Sequence, residues 1–411
     1  MQFERTPKRP RVPPKPRIAD QQQQVANNDN KNSTNGQDPV DVFCRIRPAD
    51  SLDTCLTVIN SSTILMKPPS SSMMSRSGAQ RQQQYRFKEV FGPSCTQKEL
   101  FDKIAKPLVT ELLNGKNGLL FAYGVTGSGK THTMQGSPKD GGIVRRTLDV
   151  IFNSISEWQA RRFIFKPDHL NGFEVQSDAD ARADRKQHAL LNNNNKGTAA
   201  FLRTPRIKKR DISISSSNGS DRVPDTTVIE GLDEDNVYSV FITYFESYNN
   251  YVYDLLEDIP DNNMSKSLQT KMLREDGQHN MYVHGCNEME VKSPEEALEQ
   301  LYKGQKRRKV AHTSLNAESS RSHSIFTIRI VQSPLDEHGA EVLTSAGLRI
   351  SQLSLVDLAG SERTSRTRAA GLRIKEAGSI NNTLMMPRTC IEVLRENQLN
   401  NANRMVPYRD S

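Results

Sequence analysis

Apolar and polar residues alternate in several short segments of the chain, a pattern typical of β-strands. The alternating segment that begins at Val40 (VDVFCRIRP) is rich in β-branched residues, and the apolar run Gly118–Tyr123 is bounded by turn residues. Both predict strands. By the same criteria, further strands are expected at Tyr238–Phe245, Met281–Val291, Ile325–Val331 and Ile350–Val356.

Apolar residues at helical spacing predict the helices. One such series runs from Leu100 to Leu112, and Pro107 is expected to kink it. A short helix is expected after a glycine-rich turn that follows the Gly118–Tyr123 strand. Further helices are predicted at Ile143–Ile155, Pro294–Tyr302 and Lys375–Glu396.

Three polar segments interrupt this pattern. Residues 1–38 combine a Pro/Arg/Lys run with Gln- and Asn-rich sequence, and we expect a disordered tail. Residues 67–84 predict a polar loop. Residues 156–227 are polar and irregular, with one short β-like piece at Phe163–Phe165. Because so long a structureless loop is uncommon inside a domain, we interpret it as an insertion.

Composition limits the class of protein. The chain has 411 residues, a net charge of +8 and no apolar run long enough to span a membrane. A basic balance favours an acidic partner, such as nucleic acid, an anionic membrane or an acidic protein surface. The five scattered cysteines predict neither a disulfide framework nor a zinc site, and they favour a reducing compartment. Basic runs at Lys8–Arg17 and Arg206–Arg210 are either nuclear import signals or solvated segments.

The segment Gly124–Thr131 (GVTGSGKT) lies between a predicted strand and a predicted helix and matches GxxxxGK[ST]. Glycines let backbone N–H groups turn toward a phosphate, and the helix N-terminus adds partial positive charge. In such a loop Lys130 contacts the β- and γ-phosphates and Thr131 binds Mg²⁺. The alternative is a glycine-rich turn with an incidental lysine, but the strand–loop–helix order favours nucleotide binding.

Two later segments support a nucleotide site. Asp357–Gly360 (DLAG) follows a predicted strand, where an aspartate can hold Mg²⁺ and a glycine N–H can face the γ-phosphate. Asn316–His323 (NAESSRSH) brings together hydroxyls that can bind Mg²⁺ or position water. Taken singly, a surface turn and a serine-rich loop remain alternatives.

Together and in this order, the motifs resemble the kinesin motor domain. GVTGSGKTHTM resembles the kinesin phosphate loop, NAESSRSH its first switch and DLAGSE its second. CRIRP resembles its adenine-pocket strand, and VPYRDS resembles the segment that leads into a tubulin-facing helix. The resemblance implies an α/β P-loop NTPase fold, with a central mixed β-sheet flanked by helices on both faces. It covers residues 39–411 except for the insertion at about 156–227.

Finer features make the chain similar to the mitotic kinesin-like proteins of the centralspindlin type, the kinesin-6 family. These features are Val125 where most kinesins have glutamine, the large insertion, and the segments FITYFESYNNYVYDLLE and LREDGQHNMYV. The resemblance implies a plus-end-directed microtubule motor that acts at the central spindle in cytokinesis. It also implies a cytoplasmic, cytoskeletal location at the spindle midzone and midbody.

The resemblance further implies ATP and Mg²⁺ as cofactors. The adenine pocket maps onto Arg45, Arg47, Pro48 and His132. The phosphate site maps onto Gly124, Val125, Thr126, Gly127, Ser128, Gly129, Lys130 and Thr131, and the metal site onto Thr131, Ser320 and Asp357.

The implied catalytic residues lie in the two switches. Ser319 and Ser320 approach the metal and the attacking water, and Arg321 pairs with Glu362. Gly360 senses the γ-phosphate through its backbone N–H. No strong base is required, because phosphoryl transfer depends mainly on positioning and charge stabilisation.

A kinesin is also expected to present a basic face to acidic tubulin. The family's microtubule-binding loop and helix map onto Arg366, Arg368, Arg373, Lys375, Arg388, Arg404 and Arg409, although a solvated face is the alternative for each residue. Dimerisation and cargo binding are implied for regions outside this chain. No membrane partner is expected, and nucleic acid is disfavoured because only 6% of residues are aromatic.

Two departures from the family pattern leave a second function open. The chain stops at Ser411, before the family's last core strand and helices, so we expect an uncovered sheet edge. Pro387 falls inside a predicted helix, where proline removes a hydrogen bond. A non-motile, nucleotide-dependent microtubule anchor or bundler is therefore the alternative to a motor.

Overall fold

The computed structural model of the protein describes residues 40–49, 54–67, 82–201, 222–249, 251–257, 269–313, 321–335, 347–362 and 372–408. The predicted tail at 1–38 and most of the predicted loop at 67–84 lie outside these residues. The loop's last residues belong to a strand instead, since Gln83 and Gln84 pair with Met66 and Leu65.

The described strands are β1 (Phe43–Arg45), β2 (Leu56–Asn60), β3 (Thr63–Met66), β4 (Gln83–Arg86), β5 (Glu89–Phe91), β6 (Gly118–Ala122), β7 (Phe165–Pro167), β8 (Phe173–Val175), β9 (Asn236–Tyr248), β10 (Tyr251–Asp254), β11 (Thr270–Glu275), β12 (Met281–His284), β13 (Met289–Val291), β14 (His323–Pro334) and β15 (Arg349–Asp357). The described helices are α1 (Gln97–Leu100), α2 (Lys106–Leu113), α3 (Lys130–Gln135), α4 (Ile143–Ser154), α5 (Asp178–Phe201), α6 (Pro294–Thr313) and α7 (Leu372–Asn400).

The main sheet is mixed, in the order β12-β11-β10-β9-β14-β15-β6, with β13 added to β9. All of its described pairs are antiparallel except β15 with β6. Among the described strands, β6 is an edge, and its Leu119 is 59% exposed. β14 is central, because it pairs with β9 along its whole length and with β15 along most of it.

Alternation along β9 and β14 divides the core between the two faces of the sheet. Val240, Ile242, Ile328 and Ile330 face the larger core, which α2, α4 and α6 cover. Helix α4 is buried on nearly all sides, since ten of its twelve residues are buried, including the polar Asp149 and Ser154.

On the opposite face, Phe241 of β9 and Val331 of β14 pack against Phe165 and Phe173. These two phenylalanines belong to the β7–β8 hairpin, within the predicted insertion. The prediction that residues 156–227 are irregular is therefore wrong for this hairpin and for helix α5. Their apolar residues are too sparse for a periodic signal, but the sheet supplies the surface against which the hairpin packs.

The end of the insertion is fixed by a cluster of charges that we call the return anchor, comprising Lys98, Arg146, Asp149, Arg222 and Asp225. Asp225 accepts from Arg146 Nη1 at 2.7 Å and lies 3.4 Å from Lys98 Nζ. The backbone N–H of Asp225 donates to Asp149 at 2.9 Å, and Arg222 pairs with that same carboxylate. The anchor holds the returning chain against α4 and α1.

Other elements refine the predictions. The predicted strand Met281–Val291 is two strands, because Gly285 at φ +76° interrupts the extended backbone. Near Pro107, α1 and α2 are joined by a π-helical turn at Phe101–Ala105 rather than by a break. Proline has no backbone N–H to donate. The wider π-helical turn, with its i→i+5 hydrogen bonds, shifts the hydrogen-bonding pattern of the helix just before this proline.

Helix α7 runs from Leu372 to Asn400 with Pro387 inside it. Its end is held by the following segment, where Asn397 exchanges two hydrogen bonds with the backbone of Arg404. Among the described residues, no helix has both the length and the apolar character needed to cross a bilayer.

Candidate nucleotide site

The loop between β6 and α3 has a backbone that only glycine adopts easily. Gly127 and Gly129 have φ of +78° and +98°, and Gly129 is the N-cap of α3. A Cβ at Gly124 would press against the Ser128 hydroxyl. The loop therefore exposes backbone amides at a helix N-terminus, an arrangement suited to an anion.

The Lys130 side chain folds back onto the first residues of this loop. Its Nζ donates to the carbonyl oxygens of Gly124 at 2.8 Å and Val125 at 3.1 Å. Burial lowers its pKa, although the charges of Asp357 and Glu362 oppose that effect. The ammonium group is thus positioned beside the loop amides, where a phosphate would meet both.

The structure brings Thr131 and Asp357 together. Thr131 Oγ1 donates to Asp357 Oδ2 at 2.6 Å. Asp357 is only 7% exposed, and its Oδ1 has no hydrogen-bond partner among the described residues. Carboxylate and hydroxyl oxygens are ligands that Mg²⁺ accepts, so a buried carboxylate with an unused oxygen fits a divalent metal.

The segment after β15 packs directly on the phosphate loop. Ser361 N donates to the Gly124 carbonyl oxygen at 3.1 Å. Glu362 accepts from Thr126 N at 2.9 Å and from Thr126 Oγ1 at 2.6 Å. Burial raises the pKa of Glu362, but the bonds from Thr126 outweigh it and the net pKa is lowered.

Gly360 is enclosed by the contact between Glu362 and Thr126. A Cβ there would collide with the Glu362 carboxylate and the Thr126 hydroxyl. The position therefore requires glycine because of space, and its backbone lies against the phosphate loop. The side chain of Thr126 has a role here that its place in the motif does not indicate.

The first switch is described only at its end. Ser319 and Ser320 lie outside the described residues, whereas Arg321 lies two residues before the start of β14 and is half-buried. The hydrogen bonds described for the Glu362 side chain come from Thr126. The ion pair between Arg321 and Glu362 therefore stays a prediction.

The predicted adenine residues lie around the start of α1. Arg45 Nη1 donates to Gln97 Oε1 and to Thr133 Oγ1, both at 2.9 Å. Gln97 Nε2 donates to the His132 carbonyl oxygen at 2.7 Å. Arg45 thus joins β1 to α1 and α3. Gln97, which follows an N-cap threonine, has no sequence signal that marks it for this role.

The other two predicted adenine residues are exposed at the end of β1. Arg47 Nη1 donates to the Gly127 carbonyl oxygen and so links β1 to the phosphate loop. Pro48 is exposed beside it. Both lie where a nucleotide could reach them, and their contact with a purine stays a prediction.

The predicted tubulin contacts are only partly described. Arg366, Arg368 and Arg409 lie outside the described residues, and Arg373 and Lys375 lie in α7 where side chains are not described. Arg388 pairs with Glu392 at 2.8 Å within α7, and Arg404 pairs with Glu396. Both arginine side chains remain more than half exposed.

One further residue connects this site to α7. His323 Nδ1 accepts from the Ala359 N–H at 3.2 Å, and its Nε2 lies 3.1 Å from Thr383 Oγ1. Burial and the nearby Arg308 charge lower the pKa of His323 to about 4. This histidine is the last residue of the NAESSRSH motif, and the motif does not indicate its contacts.

Fold and site together define a P-loop nucleotide-binding protein in which the segment after β15 lies on the phosphate loop. A model of the kinesin motor domain matches residues 25–411. The chain belongs to the kinesin motor domain family, whose members bind nucleotide.

The similarity extends to particular relatives. The chain is 52% identical over 384 residues to mouse kinesin-like protein KIF23, covering 92% of this chain and 39% of that protein. It therefore spans about two fifths of that relative's length. A solved kinesin 6 structure matches with a TM-score of 0.73 at 40% identity, covering 91% of this chain and 88% of that one.

A third match is the structure of a kinesin bound to a microtubule. The structure of KIF14 with ADP in complex with a microtubule has a TM-score of 0.62 at 25% identity, covering 90% of this chain and 82% of that one. The chain's fold is thus that of kinesin motors, and its identity to KIF23 and to the kinesin 6 structure, 52% and 40%, exceeds its 25% identity to KIF14.

Proposed function

We propose that this chain hydrolyses MgATP and couples hydrolysis to microtubule binding. The observation that carries the proposal is the direct packing of Asp357–Glu362 on the phosphate loop through Thr131, Gly124 and Thr126. A segment that contacts both a metal ligand and the loop can respond to the presence of a γ-phosphate.

The roles of the chain's own residues follow from this geometry. Lys130 would release the loop carbonyls and bind the β- and γ-phosphates. Thr131 and Asp357, with Ser320 from the first switch, would hold Mg²⁺, which neutralises phosphate charge when bound. Arg45, Arg47, Pro48 and His132 would surround the adenine.

Hydrolysis further requires that the two switches close. Gly360 would present its N–H to the γ-phosphate, and Glu362 would leave Thr126 to pair with Arg321. Ser319 would then position the attacking water. In this structure the Glu362 carboxylate is bonded to Thr126 instead of Arg321, so closure must break the two hydrogen bonds from Thr126.

The microtubule part of the proposal rests on family membership and on α7. KIF14 was solved in complex with a microtubule. By resemblance to the family, we assign α7 as the main tubulin-binding helix. The exposed arginines Arg388 and Arg404 fit an acidic partner. By similarity to the kinesin-6 relatives, we assign plus-end direction, a role at the central spindle in cytokinesis and a cytoskeletal location. The basic runs Lys8–Arg17 and Arg206–Arg210 are the basis for proposing nuclear residence in interphase.

A non-motile microtubule anchor is the second candidate, and the observation that favours it is Pro387 inside α7. Its ring removes one backbone hydrogen bond from the helix, at a cost of about 3 kcal/mol. If Pro387 weakens the tubulin contact, Pro387→Leu will raise microtubule affinity and stimulation. Unchanged values for both would remove the argument for an anchor.

The decisive experiment is phosphate release from the 411-residue chain with MgATP, alone, with taxol-stabilised microtubules and with DNA. The proposal expects stimulation by microtubules alone. Flat turnover with ATP still bound would favour the anchor, and stimulation by DNA would identify a nucleic-acid-dependent NTPase instead.

A further inference from the structure

His323 has both ring nitrogens committed to different elements. The Ala359 N–H can only donate, so Nδ1 accepts and carries no proton. In the neutral ring the proton therefore lies on Nε2, which donates to Thr383 Oγ1. One rigid ring thus joins the loop after β15 to helix α7.

The two ends of this bridge differ in what they touch. Ala359 is fully buried and directly precedes Gly360, which lies against Thr126 of the phosphate loop. Thr383 is half-buried in α7, beside the buried Leu384. His323 itself is anchored at the start of the central strand β14, where it pairs with Ser247 of β9.

This placement limits how the elements can move independently. The imidazole is planar and has no acceptor or donor to spare, so a shift of Ala359 either moves Thr383 or breaks one of the bonds. Because β14 holds the backbone of His323 in the sheet, the ring can follow Ala359 only by turning about its own side-chain bonds, and that turn also moves the Nε2–H that donates to Thr383.

We propose that His323 is a positioning residue that transmits movement of the Ala359–Gly360 segment to helix α7 through Thr383. The inference rests on the proposed function, since it concerns how nucleotide state reaches the helix assigned to tubulin. It adds a named two-bond connection that the motifs do not indicate.

The test removes the far end of the bridge without touching the nucleotide site. Thr383→Val keeps the side-chain shape and deletes the hydroxyl, whereas Thr383→Ser keeps the hydroxyl. Thr389→Val is the matched control, because Thr389 Oγ1 donates within its own helix to the Met385 carbonyl oxygen at 3.1 Å. Phosphate release is measured with and without microtubules, and thermal melting checks the fold.

We expect Thr383→Val to leave basal turnover and the microtubule KM unchanged and to lower the microtubule-stimulated kcat about five-fold, the effect of one typical hydrogen bond. Thr383→Ser should restore most of the loss, and Thr389→Val should equal the parent. The double variant His323→Ala/Thr383→Val should be no slower than His323→Ala, since both break one connection.

The inference is overturned if Thr383→Val is folded and stimulated like the parent, or if it raises the microtubule KM alone, which would make Thr383 a tubulin contact. An equal fall in basal and stimulated rates would also overturn it by showing a structural role. If the parent chain itself is not stimulated, the proposed function fails first, and the inference fails with it.

Discussion

The phosphate loop and the return anchor show two ways in which this chain builds a polar site. The loop uses consecutive residues, and its geometry comes from glycine backbone and a helix N-terminus. The anchor joins side chains that are distant in sequence, such as Arg146 and Asp225, 79 positions apart. A local site can be recognised as a motif, whereas a long-range one needs the fold first.

The two regions also differ in what a substitution should damage. In the phosphate loop, the residues are half-exposed or exposed and available to a ligand. Changes there should therefore alter turnover more than stability. In the anchor, Asp225 has a side chain only 2% exposed and is paired inside the protein. Changes there should alter stability more than turnover.

The largest expected effect is on the anchor. Asp225→Ala leaves Arg146 without its buried partner and should lower the free energy of unfolding by about 3 kcal/mol. Urea denaturation measures this loss. Asp102→Ala is the control, since its ion pair with Lys98 is exposed and should contribute at most about 1 kcal/mol. Equal losses for both would contradict the distinction.

Gly360→Ala tests the phosphate loop, the other region in the comparison. The new Cβ would collide with the Glu362 carboxylate and the Thr126 hydroxyl, so the segment could not lie on the loop. We expect turnover to fall about 100-fold, in the range seen when transition-state contacts are lost, with little change in melting temperature. Gly92→Ala, where a Cβ meets nothing within 4 Å, should change neither quantity.

Acid should weaken the anchor in a defined window. Burial alone would raise the pKa of Asp225, but bonds from Thr227 and Arg146 and the Lys98 charge outweigh it and lower the pKa to about 2. Because the folded pKa lies below the unfolded value of about 3.9, this stabilisation is complete above pH 4 and is lost as pH falls toward 2. Unfolding measured against pH should show that loss, and Asp225→Asn should remove this component.

The smallest effect concerns a buried charge for which the described part of the chain shows no ion pair. Arg145 is 8% exposed, its guanidinium lies 5.4 Å from the Tyr302 ring centroid, and its Nε has no hydrogen bond among the described residues. Arg145→Met should therefore raise the free energy of unfolding by about 1 kcal/mol in urea denaturation. A loss of stability would show that the ring contact outweighs the burial of the charge.

The sequence predicted those parts of the molecule that carry a local signal. Strands such as β9, β14 and β15, helix α4 and the phosphate-loop context all follow from periodicity and spacing. The role of the β7–β8 hairpin could not be predicted, because Phe165 and Phe173 become core residues only against Phe241 and Val331.

The same distinction applies within the site. Lys130 and Thr131 lie in a recognisable motif, and the structure places Thr131 beside Asp357, 226 positions away. Gln97 and the hydroxyl of Thr126 acquire their contacts only through tertiary packing. Motif spacing indicates which groups meet a ligand, but it does not indicate which groups hold those residues in place.

The central position of β14 has a consequence for hydrogen exchange. Its backbone is bonded on both sides, to β9 and β15, and its inward residues Ile328 and Ile330 are fully buried. Amides there can exchange only when the sheet itself opens. His323, which accepts a hydrogen bond from the Ala359 N–H, is the first residue of this strand. We therefore expect the amides of β14 to stay protected even where the amides of the Ala359 loop exchange quickly.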